Sequence, residues 1–238
     1  MSLLELEDVV AGYGGSPVLD EVSLEVDENV VGLVGRNGVG KTTTLKSIIG
    51  LLEIESGSVR FDGTDITDWS PHQSYDAGLG LIQEDRGIFP DLTVVENLQV
   101  PIVERTDDEY IVEELFDFFP RLEERKEANG DYLSGGEQQM LATARALRSK
   151  PRLLLMDEPS EGLAPQIVEN VAEIVEEIAA TGTSVLVVGQ NVNFTLDLAS
   201  YIYVMDNGRV VHEGTTQEMR ANREEMEQYL RVGRTGAD

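Results

Sequence analysis

The first part of the chain carries the short hydrophobic patterns of β-strands. Residues 22–26 alternate apolar and polar side chains, as a strand with one buried face does. Residues 30–34 form a continuous apolar run, which is typical of a strand covered on both faces. A glycine-rich turn follows, and the pattern then predicts a helix over residues 41–50. A polar hairpin over residues 58–63 and a short strand over residues 78–82 complete this region.

After about residue 91 the pattern becomes helical. Apolar residues recur at three- and four-residue spacings among many charged ones, which predicts amphipathic helices. A further helix is predicted over residues 135–147, and beyond residue 150 strands and helices alternate again. We expect strands at 153–156 and 184–188, a helix over 166–180 that Gly182 ends, a hairpin over 201–212 and a charged helix from about 217.

This order of elements predicts an α/β fold with an insertion. We expect a core made of residues 1–84 and 151–238, which includes an antiparallel β subdomain, and a helical subdomain of residues 85–150. No apolar run approaches the roughly 20 residues that span a bilayer. The first five residues also lack the basic region of a secretory signal. A role at a membrane is therefore expected only through a partner.

The charge balance is strongly acidic. The chain has 45 acidic against 18 basic residues, a net charge of -27, and the acids are spread along its whole length. Such a charge repels phosphate backbones, so nucleic acid is not expected as a partner. It favours a salt-adapted protein over an ordinary acidic one. The absence of cysteine excludes disulfides and fits a cytoplasmic protein.

Residues 35–42 match the phosphate-binding pattern G-x-x-x-x-G-K-[ST] at every fixed position. The match follows a buried strand and opens a helix, the context that this pattern requires; the alternative is a chance glycine-rich turn. Lys41 is expected to reach the β- and γ-phosphates of ATP, and the Thr42 hydroxyl to ligate Mg²⁺. The predicted nucleotide-binding residues here are Gly35, Arg36, Asn37, Gly38, Val39, Gly40, Lys41, Thr42 and Thr43.

Two acids follow the apolar strand at 153–156. Asp157 is expected to hold Mg²⁺ through water, and Glu158 to polarise the water that attacks ATP. The pattern alone is weak, because many buried strands end in acids. Its position downstream of a phosphate-binding loop strongly favours this interpretation.

A serine and two glycines open the predicted helix at residue 135. Ser134 offers a hydroxyl and Gly135 and Gly136 offer bare backbone N–H groups at the positive end of a helix, which suits an anion. Ser134 followed by Glu137 also matches a capping box with no ligand. The residues themselves leave both interpretations open.

These three motifs in this order resemble the nucleotide-binding subunit of an ABC transporter, over nearly the whole chain. The resemblance implies a P-loop NTPase (RecA-like) core and two subunits stacked head to tail. Ser134, Gly135, Gly136 and Glu137 would then act in trans on the partner's nucleotide, and residues 160–164 would cross between the two sites. Tyr13 matches the aromatic residue that stacks on adenine, or it is an ordinary turn tyrosine.

Residues 119–125, 137–142 and 157–165 are similar to those of branched-chain amino acid importer ATPases, especially the LivF type. This likeness implies hydrolysis of ATP coupled to uptake of branched-chain amino acids or related solutes, at the cytoplasmic face of the membrane. The implied partners are a second ATPase subunit, identical or related, integral membrane permease subunits, and indirectly a solute-binding protein.

Two positions depart from the general ABC pattern. Gln190 stands where most members carry a histidine; its amide can donate a hydrogen bond to a γ-phosphate but cannot carry a charge. Glu84 aligns with the usual glutamine of the loop that joins core and helical subdomain, and Gln83 falls one residue earlier. We expect Glu84, in preference to Gln83, to face the metal.

Two other classes of protein stay open as alternatives. A soluble ABC-type ATPase that acts on ribosomes or DNA, and is not coupled to transport, would bind nucleic acid. A non-hydrolytic structural subunit would lack activity with and without Glu158.

Overall fold

The computed structural model describes residues 2–27, 29–100 and 110–222 of the 238-residue chain. A 3₁₀ turn covers Gly130–Tyr132. Along the chain the strands and helices are β1 (Leu4–Tyr13), β2 (Ser16–Val26), β3 (Val30–Gly35), α1 (Lys41–Ile48), β4 (Ile54–Phe61), β5 (Thr64–Asp65), α2 (Pro71–Asp76), β6 (Leu79–Ile82), α3 (Val94–Gln99), α4 (Val112–Phe118), α5 (Pro120–Glu124), α6 (Gly135–Leu147), β7 (Leu153–Asp157), α7 (Pro165–Ala180), β8 (Ser184–Gly189), α8 (Val192–Leu198), β9 (Tyr201–Asp206), β10 (Arg209–Thr215) and α9 (Thr216–Ala221).

Six strands form the central sheet, in the order β10-β9-β3-β8-β7-β6. The five strands from β9 to β6 are parallel, and β10 is antiparallel at one edge. Strand β8 lies between β3 and β7, so the strand that precedes the glycine-rich turn is one strand away from the strand that ends in acids. Because parallel strands share their carboxyl edge, the residues after β3, β7 and β8 converge there.

The central strands are buried on both faces, as their continuous apolar runs predict. In β3, Val30 and Val34 belong to the hydrophobic core on one face, and Val31 and Leu33 belong to the core on the other. Strands β7 and β8 divide their side chains in the same way. Strands that alternate between two cores must be covered on both sides, which is the arrangement expected of an α/β fold.

The two faces are covered by different elements. Helix α1 and the antiparallel sheet β2-β1-β4-β5 contribute the second core, through residues such as Leu45 and Leu4. Helices α3 to α8 contribute the first core, with Leu115, Phe119 and Leu141 almost completely buried. Among the described residues no helix has the length and apolar character needed to cross a membrane.

Most predicted elements are present, and two helices were missed. Helix α6 spans Gly135–Leu147 as predicted, and Gly182 follows α7 with a φ of 93°. The short helices α2 and α8, of six and seven residues, were not predicted. The predicted charged helix from about residue 217 is present as α9, and its expected continuation beyond residue 222 lies outside the described residues.

Candidate active site

The glycine-rich turn between β3 and α1 is folded in a way that requires glycine. Gly40 has a φ of 115°, and a Cβ atom added there would lie 2.8 Å from the Met205 methyl carbon. A Cβ on Gly35 would lie 2.5 Å from the carbonyl oxygen of Met205. The backbone of the turn therefore packs directly against β9. The chain then continues into α1, whose first residue is Lys41.

Lys41 is buried within this turn and points back over it. Its side-chain nitrogen donates hydrogen bonds to the carbonyl oxygens of Gly35 and Arg36, each at 3.0 Å. The same nitrogen lies 3.2 Å from Glu158 Oε1, and the two side chains are only 5% and 7% exposed. The structure thus brings together the phosphate-binding lysine and the acid that follows β7, which are 117 positions apart in the sequence.

Glu158 is held from two sides. Its second carboxylate oxygen, Oε2, accepts a hydrogen bond from the backbone N–H of Gln190 at 2.9 Å. Its own backbone N–H donates to the carbonyl of Val188 at 2.7 Å, and its φ is 47°, in the left-handed region. A non-glycine residue in that region carries strain, which persists only where the surroundings fix it. The side chain of Gln190 itself is exposed.

Asp157 ends β7 as a buried carboxylate with incomplete hydrogen bonding. The residue is 4% exposed, and its Oδ1 atom has no hydrogen-bond partner. The pKa of Asp157 is raised to about 6, with burial as the largest cause; the charges of Glu158 and Glu84 add to the rise, while a hydrogen bond from Thr42 and the charge of Lys41 oppose it. Three carboxylates near one ammonium leave this position electrostatically suited to a cation.

Two adjoining cavities meet at Thr42 and Glu84. One, of about 310 Å³, also contains Lys41, Glu158 and Glu161 in its wall. The other, of about 350 Å³, is lined by Asp157, Gln83 and Asp85 in addition to the two shared residues. Gln83 therefore lines one cavity, whereas Glu84 lines both. The remaining lining residues named for the two cavities are Val18, Asn37, Gly38, Gly40, Thr43, Leu45, Lys46 and Leu81.

The donor set at this junction fits a magnesium ion that is also bound by phosphate. Among the described residues no group of three or more carboxylate, histidine or cysteine side chains converges on one point. Mg²⁺ is ordinarily held by one or two carboxylates together with substrate phosphates and water, so a full protein cage is not required. The unpartnered Oδ1 of Asp157 and the hydroxyl of Thr42 supply hard oxygen ligands of this kind.

The serine and glycines before α6 lie on a separate surface. Ser134 and Gly135 are exposed and do not line either cavity. The Ser134 side chain accepts a hydrogen bond from the Glu137 N–H, and Glu137 Oε2 accepts from the Ser134 N–H at 2.8 Å and from its hydroxyl at 2.9 Å. The capping box that the sequence allowed is therefore formed, and it leaves the exposed start of the helix open to a partner.

Glu137 points inward. It is 8% exposed, and its Oε1 atom accepts a hydrogen bond from Arg121 Nε at 3.1 Å. Burial acts to raise its pKa, but the hydrogen bonds from Ser134 and the charges of Arg121 and Arg125 hold the pKa below its ordinary value. The sequence placed Glu137 with Ser134 as a residue that acts on a partner's nucleotide; the structure uses its carboxylate to fix the start of α6.

Tyr13 lies at the end of β1, in the hairpin that leads to β2, and is 50% exposed. It is not among the residues that line the cavity of Lys41, whereas Val18 of β2 is. Sequence reasoning missed Val18, because an apolar residue in an alternating strand carries no signal of a site.

Comparison with known proteins gives the family. Residues 19–161 match the profile of the ABC transporter family, a span that includes the glycine-rich turn, the start of α6, and Asp157 and Glu158. The chain belongs to the ABC transporter family of ATP-binding proteins. Members of this family hydrolyse ATP, and this chain is an ABC-type ATPase.

This ABC ATPase is similar to curated relatives of two kinds. It is 40% identical to the high-affinity branched-chain amino acid transport ATP-binding protein BraG of Pseudomonas aeruginosa, over 96% of this chain and 99% of that protein. It is 33% identical to the lipopolysaccharide export system ATP-binding protein LptB of Haemophilus influenzae, over 97% and 98%. It is 34% identical to the probable branched-chain amino acid transport ATP-binding protein LivF of Archaeoglobus fulgidus, over 88% and 90%.

Solved structures give the same fold. A nucleotide-free ATP-binding cassette from an ABC transporter superposes with a TM-score of 0.82 at 28% identity, covering 93% of this chain and 94% of the other. An ATP-binding cassette in its ADP conformation gives 0.79 at 27% identity, covering 98% and 96%. The P-loop NTPase fold predicted from the sequence is confirmed.

Proposed function

We propose that this ABC ATPase powers an importer for branched-chain amino acids or related solutes, from the cytoplasmic face of the membrane. The observation that carries the proposal is the 40% identity to BraG along almost the whole of both chains. The similarity to LivF, which the sequence motifs also indicated, supports the same solute class. LptB proteins at 33% identity make lipopolysaccharide export the second candidate.

We assign roles to the site residues from their chemistry. Lys41 and the backbone N–H groups of the glycine-rich turn bind the phosphates, and Thr42 and Asp157 hold Mg²⁺ with Glu84 beside them. The metal, when bound, neutralises phosphate charge. Glu158 accepts the proton of the attacking water, and the backbone N–H of Gln190 holds the Glu158 carboxylate in position. The amide side chain of Gln190 is exposed and free to turn toward the γ-phosphate.

The exposed start of α6 supports a dimer in which each chain completes the site of the other. Gly135 presents a backbone N–H and the positive end of a helix to solvent, away from the chain's own cavity, and the exposed Ser134 hydroxyl would have to turn from Glu137 to join it. Such groups suit the γ-phosphate held by a second copy or a related subunit. Tyr13 is assigned to the adenine ring, which its half-exposed position permits.

The segment 85–150 is proposed as the subdomain that contacts the permease. Phe89 is 41% exposed in the loop before α3, and Asp85 is exposed close by. This loop continues directly from Glu84, so movement at the nucleotide reaches the permease surface through few residues. A short helix of the permease would dock here.

Two experiments test these assignments. The chain has no cysteine, so cysteines introduced as Asp85→Cys and Phe89→Cys are unique, and Asp62→Cys provides an exposed control outside this loop. We expect the first two variants to form crosslinks to a permease and the control to form none. Labelling of the first two variants that is the same with and without a permease would refute the docking surface. Purification from membranes of the host then identifies the system. Recovery of an amino-acid permease supports import, an export complex supports the second candidate, and ribosomes or DNA support a soluble ATPase.

A further inference from the structure

Arg86 connects the loop after β6 to the start of α6. It lies two residues after Glu84, and its guanidinium donates a hydrogen bond from Nη1 to Gln138 Oε1 at 3.0 Å. A Cβ atom on Gly135 would lie 3.7 Å from both terminal nitrogens of Arg86. One side chain therefore contacts the first and the fourth residue of the helix that Ser134 caps.

Gln138 extends this contact into the neighbouring turn. Its amide nitrogen donates to the carbonyl of Gly130 at 3.1 Å, while its oxygen accepts from Arg86. The N–H of Gly130 in turn donates to the carbonyl of Leu92 at 2.9 Å. The loop after β6, the turn before Ser134 and the start of α6 are thus joined through one glutamine side chain.

The backbone conformation and the position of the charge of Arg86 are both locally unfavourable. Its φ is 64°, in the left-handed region that favours glycine, and Gly87 follows with a φ of 56°. Its cation also lies beside the amino end of α6, where the helix dipole is positive and disfavours positive charge. The contact of Arg86 with Gln138 is therefore made in spite of two local costs.

We propose that Arg86 is a positioning residue that couples the two nucleotide sites of the dimer. Occupancy of the chain's own cavity acts on Glu84, which lines both of its parts. Arg86 transmits the resulting shift of the loop to Gly135 and Gln138. The position of the exposed Ser134, which would contact the nucleotide of the other site, then depends on whether the chain's own site is occupied. The inference rests on the proposed dimer and adds cooperativity between its sites.

The decisive variant is Arg86→Gly, because it removes the whole side chain with its contacts while glycine suits the left-handed backbone better than arginine. We expect the Hill coefficient for ATP hydrolysis to fall from near 2 to near 1, with the melting temperature unchanged or raised. Gln138→Met removes the same hydrogen bond from the other side and should give the same loss. The double variant should be no worse than either single one, since both act in one contact. Arg86→Lys should restore part of the cooperativity.

The matched control is Asp62→Gly. Asp62 also has a left-handed φ, of 51°, and an exposed side chain that pairs with an arginine, Arg152. It lies outside the loop and both cavities, so the Hill coefficient should equal that of the wild type. The inference is overturned if Arg86→Gly retains wild-type cooperativity, or if the losses from Arg86→Gly and Gln138→Met add. A wild type that neither binds nor hydrolyses ATP contradicts the proposed function itself, which separates the two failures.

Discussion

Lys41 Nζ lies 3.2 Å from Glu158 Oε1 in a buried ion pair. The ammonium also donates to two carbonyl oxygens of its own turn, so its hydrogen-bonding capacity is used before any phosphate arrives. A phosphate that binds Lys41 must displace one of these three partners, and we expect it to displace Glu158. In the proposed mechanism, nucleotide binding would then free the Glu158 carboxylate to act on water.

Replacing Glu158 with glutamine should separate binding from hydrolysis. We expect Glu158→Gln to lower the rate of phosphate release by more than about 100-fold, because the proton acceptor is lost. We also expect it to tighten Mg-ATP binding by roughly 3- to 10-fold, because the carboxylate no longer competes for Lys41. Calorimetric titration and a phosphate-release assay measure the two effects. Glu161→Gln, a carboxylate of the same cavity without a pair to Lys41, is the control; an equal loss there would contradict the role of Glu158.

The raised pKa of Asp157 predicts how stability varies with pH. Because the pKa of about 6 lies above the ordinary 3.8, the protonated group favours the folded state. That contribution is complete below the ordinary pKa and is lost as the pH rises through about 6. Asp157→Asn should therefore exceed the wild type in free energy of unfolding at about pH 8, by on the order of 2 kcal/mol, and match it near pH 4.

Urea denaturation without nucleotide, at constant ionic strength, measures this difference between Asp157→Asn and wild type. Asp85→Asn removes an exposed carboxylate of the adjoining cavity and is the control for the loss of one negative charge. The asparagine variant should nonetheless lose Mg²⁺-dependent hydrolysis. Equal stability of Asp157→Asn and wild type at both pH values would show that burial of the ionised Asp157 does not destabilise the fold.

Gln190 allows its backbone and side-chain roles to be separated. The backbone N–H, which every residue except proline has, holds Glu158 at 2.9 Å. Gln190→Ala should thus keep Glu158 in place and lower kcat by roughly 10-fold, through loss of the amide alone. Gln190→His should retain activity and add a dependence on pH near the histidine pKa of about 6.5. Wild-type kcat in Gln190→Ala would remove the side chain from the mechanism.

The net charge of -27 predicts a dependence of stability on salt. Repulsion among the acids weakens as the Debye length falls from about 8 Å at physiological ionic strength to about 3 Å at 1 M. We expect the melting temperature to rise by roughly 10 °C over this range of KCl, with little further gain above it. Circular dichroism measures the transition. A melting temperature that does not change with KCl concentration would contradict salt adaptation.

Most strands and helices could be predicted from the sequence because each depends on residues that are neighbours in the chain. The continuous apolar run of β3 and the start and end of α6 depend on neighbouring residues, and they agree with the structure. Helices α2 and α8 are too short for a helical period to appear, although Ser70 and Asn191 stand at their N-caps. The cap residue was the signal that could have found them.

Contacts between distant parts of the chain could not be predicted in the same way. Nothing near Lys41 in the sequence indicates that it pairs with Glu158, and nothing near Arg86 indicates Gln138. The inward direction of Glu137 depends on Arg121, which lies in another helix. Sequence motifs therefore identified the candidate residues of the site, whereas only the structure shows which of them are in contact.

In the proposed dimer, Mg-ATP bound at Lys41 joins two chains through Ser134. Light scattering of Glu158→Gln in saline buffer, titrated with Mg-ATP, tests it most directly. We predict a change from monomer to dimer with two nucleotides bound, and no dimer when Ser134→Arg is added to the same variant. A Glu158→Gln chain that stays monomeric and binds no nucleotide would exclude both the nucleotide site at Lys41 and the dimer.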